Sequence, residues 1–573
     1  MDKRKLLKVA KGEVLADLVI KNAKIINVFS KTIDEGNIAI SDGVIVGIGD
    51  YSGRKEVDAL GYYIAPGFID GHVHIESSML IPSNYAKAVM TRGTTSVIAD
   101  CHEIANVCGK NGIDFMLASS AKSPLDVFMM IPSCVPSTEY ETSGARLLAK
   151  DIKDYLKHDK VIGLGEMMDY PGAINGKEDV LEKIEDFSQG VIDGHAPGVE
   201  GKNLNAYVLA GIKTDHECTT PQELLEKIKR GMYVHLREGS QTKNVSDLLP
   251  GLNKSFYHKI LFCSDDLHPS DIRKIGHIDN NINIAIKNGI EPIEAISMAT
   301  INIAECYGLS DLGAIAPGKK ADLVWFKDIN NIKVDKVYKN GNLVFEDEKI
   351  LFVTDDKIDK NVLDTVRVKY QKTDLIYHLN SEYANVIGLV KNNVTTTKIL
   401  EKIVLQDGEF NPKNNPGLLK LIVIERHKKS GNIGKAIVKD YGLKNSALAL
   451  TIAHDSHNLI CVGDNDDDID LAIRKIVEIG GGIVYVQDKK VIDFLPLEVA
   501  GLMSLSEASV VEKKLLNIEN KLREAGVNGE IEDPILQLAF LSLPVIPDLK
   551  ITDKGLFDTK EFKIISLEAS EKP

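Results

Sequence analysis

Paired cysteines are the first thing this sequence does without. Its seven cysteines, at 101, 108, 134, 218, 263, 306 and 461, are odd in number and scattered singly, the pattern of reduced core thiols and not of a disulfide framework. Long apolar runs are missing too. No stretch reaches the roughly eighteen residues needed to cross a bilayer, and no signal-peptide-like apolar segment follows the charged start Met1-Asp2-Lys3-Arg4-Lys5. These absences predict a cytoplasmic protein with no membrane partner. Basic charge is also in deficit: 69 Lys and Arg face 83 Asp and Glu, a formal net charge of -14. Nucleic-acid affinity rests on concentrated cations, so the expected partner is a small molecule.

With 44% hydrophobic and 27% charged residues, the chain has the composition of a packed globular protein. Its 573 residues predict two to four domains. Residues 17–64 carry short apolar runs broken by the turn signal Ser41-Asp42-Gly43, which predicts short antiparallel strands. The text Ala16-Asp17-Leu18-Val19 returns as Ala321-Asp322-Leu323-Val324, which predicts one β-sandwich module built from 1–65 and 309–355; two unrelated hairpins is the alternative. Between them, apolar runs at 95–99, 127–131, 161–164, 232–235 and 260–263 alternate with helical patterns. That rhythm predicts parallel β/α units closed into a (β/α)8 barrel over 66–308. Further strand-like runs at 419–424 and 482–486 predict a separate α/β domain over 356–573.

Ten of the fourteen histidines fall within 66–300, several at the ends of those runs, where a barrel of this kind builds its site. His72 and His74 are two apart, so an extended strand puts both imidazoles on one side. Glu166, His195, His216 and Asp265 end later runs. Imidazole and carboxylate donors together suit zinc, iron or manganese. Six of them predict a site for one or two divalent ions, with Glu166 placed to bridge a pair and a nearby water made acidic. Taken singly, each has a blander reading as a buried or surface polar group.

The segment 64–74, ending in Asp70-Gly71-His72-Val73-His74, resembles the first-strand signature of the amidohydrolase superfamily. Ser297-Met298-Ala299-Thr300 and Gly313-Ala314-Ile315-Ala316-Pro317-Gly318 resemble its exit from the barrel. A finer resemblance, to the prokaryotic metal-dependent adenine deaminases, rests on Glu76-Ser77-Ser78-Met79, Asp100-Cys101-His102-Glu103, Gly163-Leu164-Gly165-Glu166 and Ser264-Asp265-Asp266-Leu267-His268. It extends to Ala453-His454-Asp455-Ser456-His457-Asn458, and so covers nearly the whole chain. Many amidohydrolases bridge their metals through a carbamylated lysine, where this sequence offers Glu166. The resemblance implies hydrolysis of adenine to hypoxanthine and ammonia by a metal-activated hydroxide, with a binuclear Mn2+ or Fe2+ site, Zn2+ being an alternative. It also implies a role in purine salvage or catabolism; a homo-oligomer is the general expectation for such a chain. An amidohydrolase acting on another cyclic amide, and a silent binding protein on the same scaffold, are the competing readings. The other deaminase signature, H-x-E with P-C-x-x-C, fails because no P-C-x-x-C occurs.

Asp265 is expected to be ligand and base together, with Glu166 beside it in the chemistry. Asp266 points away if its segment is extended, and either accepts a hydrogen bond from the purine or braces the site. His102 and Glu103 either polarise the water and read a purine edge or form a salt-bridged loop. Arg237 and Glu238 are candidate substrate contacts. In the C-terminal part, the acidic segment 464–470 lacks the glycine and glutamate of a calcium loop and reads as a helix start. Gly431-Asn432-Ile433-Gly434-Lys435 lacks a phosphate-binding pattern and reads as a turn with a helix. His454 and His457 reach either a metal, the substrate cleft or a structural partner.

Overall fold

The computed structural model describes residues 2–391 and 393–570. Eight parallel strands form its centre: β1 Phe68–Val73, β2 Thr94–Asp100, β3 Asp126–Ile131, β4 Val161–Met167, β5 Val191–Gly194, β6 Thr214–Asp215, β7 Tyr233–Arg237 and β8 Ile260–Cys263. β1 to β5 pair in sequence order, as do β6 to β8. Lys213 N donates to Ile192 O at 3.0 Å and joins the two sets. Past β8, Asp265 N donates to His72 O at 3.0 Å and returns the chain to β1. Every residue of β2 is buried, as a parallel strand covered on both faces requires.

Helices follow the strands and cover the outside. Pro221–Lys229 shows how the sequence sets one. Thr220 caps it by accepting from Glu223 N, proline occupies the first turn, and Leu224 and Lys227 face the barrel. Lys227 is fully buried and donates to Asp215 Oδ2 at 2.7 Å and to Ala196 O at 3.0 Å. It thereby fixes the strand ends that carry His195 and His216.

The two flanking pieces join one sheet of nine strands, in which Tyr63–Pro66 pairs with Leu323–Phe326. The sheet curls around a core that includes Ile20, Ile38, Ile64, Leu323 and the single tryptophan, Trp325. Two strands depart from the antiparallel expectation: Gly53–Asp58 and Tyr63–Pro66 run parallel to Ala16–Asn27. Each returns from a connection too long for a hairpin.

The C-terminal part is β-rich, a second nine-stranded sheet, largely antiparallel, with the helix Asp466–Glu478 packed against it. Asn465 caps that helix and three aspartates occupy its first turn, so the acidic run serves the helix N-terminus. The segment at 431–435 corrects the expectation of a turn with a helix. It leads into the strand Ile433–Lys439, which pairs along its length with Leu418–Ile424, where alternation along the sheet outweighs local helix propensity. This part docks on the barrel loops: Asn458 Nδ2 donates to Thr142 O at 2.8 Å, and Thr552 Oγ1 to Tyr140 O at 2.7 Å. No helix among the described residues is long and apolar enough to cross a membrane.

Candidate metal centre and active site

At the carboxyl ends of the strands, six donors from five segments meet. His72 closes β1 and His74 follows it, their Nε2 atoms 3.2 Å apart. Glu166 stands between two groups: its Oε1 is 3.2 Å from His74 Nε2, while its Oε2 is 2.7 Å from His195 Nδ1 and 3.3 Å from His216 Nε2. Asp265 Oδ1 lies 3.3 Å from His74 Nε2 and 3.6 Å from His72 Nε2. The structure thus brings together all six residues expected to bind metal.

A cation fits this set. His74 Nδ1 faces the carbonyl of Asp100 at 3.0 Å; a carbonyl only accepts, so the ring hydrogen sits on Nδ1 and the Nε2 lone pair is aimed into the cluster. There it meets two carboxylates and a second imidazole with little water to separate them. Burial alone pulls the His74 pKa down, but Asp265 and Glu166 carry it well above the ordinary histidine value. Burial, with His216 and His74 nearby, holds His72 well below it. Convergent lone pairs in a dry site call for positive charge, and Glu166 is shared by two donor groups, His72 with His74 and His195 with His216.

Asp100 sets the position of Glu166. Its Oδ2 accepts from Glu166 N at 2.9 Å and its Oδ1 from His102 N at 3.1 Å. A Cβ at Gly165 would overlap that carboxylate, so glycine is required there. Asp265 adopts a left-handed backbone, φ 58°, tolerable for aspartate. The segment is therefore not extended, so the condition under which Asp266 would point away is not met. Its carboxylate turns toward the cavity and accepts from Ser77 Oγ at 2.5 Å.

Arg237 lines the cavity, but its guanidinium is already engaged, with Nη1 2.5 Å from Glu217 Oε1 and 2.6 Å from Asp265 Oδ2. Burial would raise the Glu217 pKa, yet Arg237 and His195 hold it well below the usual carboxylate range. Glu238 is not among the residues lining the cavity, which corrects its assignment as a substrate contact. Alternation along the strand sends it away from Arg237, and its Oε1 accepts from Val245 N at 3.3 Å.

His102 and Glu103 begin the helix His102–Cys108 and line the cavity. His102 Nδ1 lies 3.5 Å from Glu166 Oε1. Burial and His74 lower its pKa, but Asp100 and Asp455 push it up to about 10. Glu103 accepts from Ser77 Oγ at 3.1 Å and pairs with His454 Nδ1 at 3.1 Å. Ser77, Glu217, Asp455 and Phe540 also belong to this cavity or its immediate support, and isolated motifs gave no reason to select them. Proximity in sequence to His74, His216 and His454 was the available signal for the first three.

The chain matches the amidohydrolase family over residues 63–344 and the adenine deaminase C-terminal domain over 393–563. An adenine deaminase of Clostridium acetobutylicum is 49% identical over 96% of this chain and 97% of that protein. Adenine deaminase 2 of Desulfotalea psychrophila is 45% identical, covering 99% of each chain. The chain belongs to the adenine deaminase family. Membership accounts for both halves of the cavity wall, since the family's C-terminal domain is the part that supplies His454 and Asp455. It also disfavours the cyclic-amide alternative, in keeping with a glutamate between the two donor groups.

Proposed function

We propose that the chain hydrolyses adenine to hypoxanthine and ammonia, in salvage or catabolism of purines. The observation that carries this reading is the Glu166-centred cluster, set in a chain similar along almost its whole length to adenine deaminases. His72, His74 and Asp265 would hold one cation and His195 and His216 a second, with Glu166 between them. Such donors, free of thiolate, suit Mn2+, Fe2+ or Zn2+. A bound pair of dications supplies a water that ionises near neutral pH and a counter-charge for the developing anion.

The chain's own residues do the rest. Asp265, with Oδ2 held by Arg237, presents Oδ1 on the donor side, where it would both help hold a cation and take a proton from the water attacking C6. It would pass that proton to N1 of the ring, then take the remaining proton from the hydroxyl added at C6 and give it to the amine, so the C6–N6 bond breaks as ammonia leaves and a carbonyl forms at C6. His102, beside Glu166, donates toward the oxygen added at C6. Glu103 orients Ser77 and His454 around the base.

The test is an adenine-to-hypoxanthine absorbance assay on metal-loaded protein, wild type beside Asp265→Asn. Asp265→Asn is expected to keep its fold and lose at least about a thousandfold in kcat, the scale of a lost base. Turnover of dihydroorotate or hydantoin with adenine untouched would overturn the reading.

A further inference from the structure

The C-terminal domain brings two polar side chains to the cavity wall, each with one buried atom that has no partner. His454 spends Nδ1 on Glu103 Oε1 at 3.1 Å and stacks on Phe540, ring centroids 4.5 Å apart and 13° from parallel. Its Nε2 is buried without a hydrogen-bond partner. The next residue, Asp455, is 4% exposed and its Oδ2 is likewise buried and unpartnered. Both residues line the cavity of about 480 Å³ that contains Glu166 and Asp265. Buried polar atoms left without partners are costly, and two on adjacent residues that line one cavity point to a ligand.

A third metal site is the first alternative, because Glu103, His454 and His457 bring donor atoms within 4.8 Å of one another. The tautomer of His457 opposes it. Its Nδ1 accepts from Ala453 N at 3.2 Å, so the ring hydrogen lies on Nε2, the atom facing Glu103. That nitrogen is a donor and has no lone pair for a cation. His457 therefore stands beside Glu103 at 3.9 Å as a donor, while Glu103 holds His454.

We propose that His454 and Asp455 read the N3 and N9–H edge of the free purine base. The geometry supports the assignment. His102 reaches Glu166 at 3.5 Å with one ring nitrogen and Asp455 at 3.9 Å with the other. Asp455 thus stands one imidazole away from the donor cluster, so a base with C6 at the cluster would turn the far side of its ring toward Asp455. In adenine, N3 lies across the six-membered ring from C6, and N9 lies beyond it. Glu103 keeps His454 charged despite burial, its pKa pushed up to about 9, so Nε2–H donates to N3 and Asp455 accepts from N9–H. A sugar on N9 would remove that hydrogen and press on the Asp455 carboxylate, so this pair discriminates base from nucleoside. The assignment rests on the adenine reading above and adds to it which chemical edge is recognised and by which domain.

The experiment uses metal-loaded full-length protein, with adenine, 3-deazaadenine and 9-methyladenine as probes and metal content measured on every sample. Wild type is expected to bind 3-deazaadenine and 9-methyladenine each at least tenfold more weakly than adenine by calorimetry. Asp455→Asn and His454→Gln are expected to raise KM for adenine at least tenfold with metal content unchanged. Asp455→Asn should also narrow the preference for adenine over 9-methyladenine. Wild-type protein that turns over adenine yet binds all three bases equally overturns this assignment alone, and this arm needs no variant to fold. Unchanged KM and unchanged preference in both variants overturns it as well, water then being what satisfies the two atoms. Wild-type protein that neither binds nor turns over adenine overturns the parent reading and this one with it.

Discussion

Asp265 is held on one side and open to the donor cluster on the other, with Arg237 Nη1 2.6 Å from its Oδ2 and His74 Nε2 3.3 Å from its Oδ1. One oxygen is neutralised by a permanent cation and the other faces the donor cluster. A carboxylate so divided is oriented without being used up, the preorganisation that proton transfer during catalysis requires.

Arg237→Met tests this grip. The substitution leaves Glu217 and Asp265 as buried charges without their guanidinium. Breaking a buried pair costs about 3–5 kcal/mol. Thermal unfolding should show the larger loss in metal-free protein and a smaller one after Mn2+ is added, because bound dications offset the same two carboxylates. Equal losses in both forms would mean that Arg237 does not share its role with a cation.

Gly165→Ala removes no functional atom, yet the new Cβ would meet the Asp100 carboxylate that holds Glu166 N and His102 N. Overpacking costs about 1–3 kcal/mol. Displacement of Glu166 should add a fall in metal affinity of at least about tenfold, the scale of a disturbed supporting hydrogen bond. Metal titration of the purified variant checks it.

Lys550 gives a pH prediction away from the donor cluster. It is fully buried, with Nζ donating to Val394 O at 2.6 Å and Phe540 O at 3.0 Å, and burial pulls its pKa down to about 7. Between that value and the ordinary 10.5, the unfolded chain binds more protons than the folded one. Stability from this group therefore rises with pH across the window and is at its lowest below about 7. The slope approaches about 1.4 kcal/mol per pH unit. Lys550→Met should remove that slope from a series of denaturant melts between pH 7 and 10. It should also loosen the cavity wall, since both carbonyls belong to residues that line it.

Much of this was legible in the chain. Apolar runs ending in histidine or carboxylate are what parallel strands leading into an active-site rim look like, and His72 with His74 needed only a period of two. Spacing along a strand had limits. His235 also lies in a barrel strand, yet it faces inward to the Tyr307 hydroxyl at 3.3 Å, and burial lowers its pKa to about 3. Asp266 turns into the cavity because one left-handed residue, Asp265, breaks the alternation that an extended segment would impose. Asp455 and Phe540 come from the C-terminal domain, far beyond the barrel in sequence, and only tertiary docking brings them over its mouth. The segment at 431–435 was misjudged because pairing with Leu418–Ile424 decides it, and no local pattern records that partner.

The central claim is that Glu166 joins two cation positions into one hydrolytic site for adenine. Its most direct test is adenine turnover by chelator-stripped protein as Mn2+ is added stepwise, for wild type and Glu166→Gln. The account predicts that wild-type hypoxanthine formation rises until about two ions per chain are bound, and that Glu166→Gln binds fewer and stays nearly inactive. Full wild-type activity with one ion per chain, or retained activity and metal content in Glu166→Gln, would contradict it.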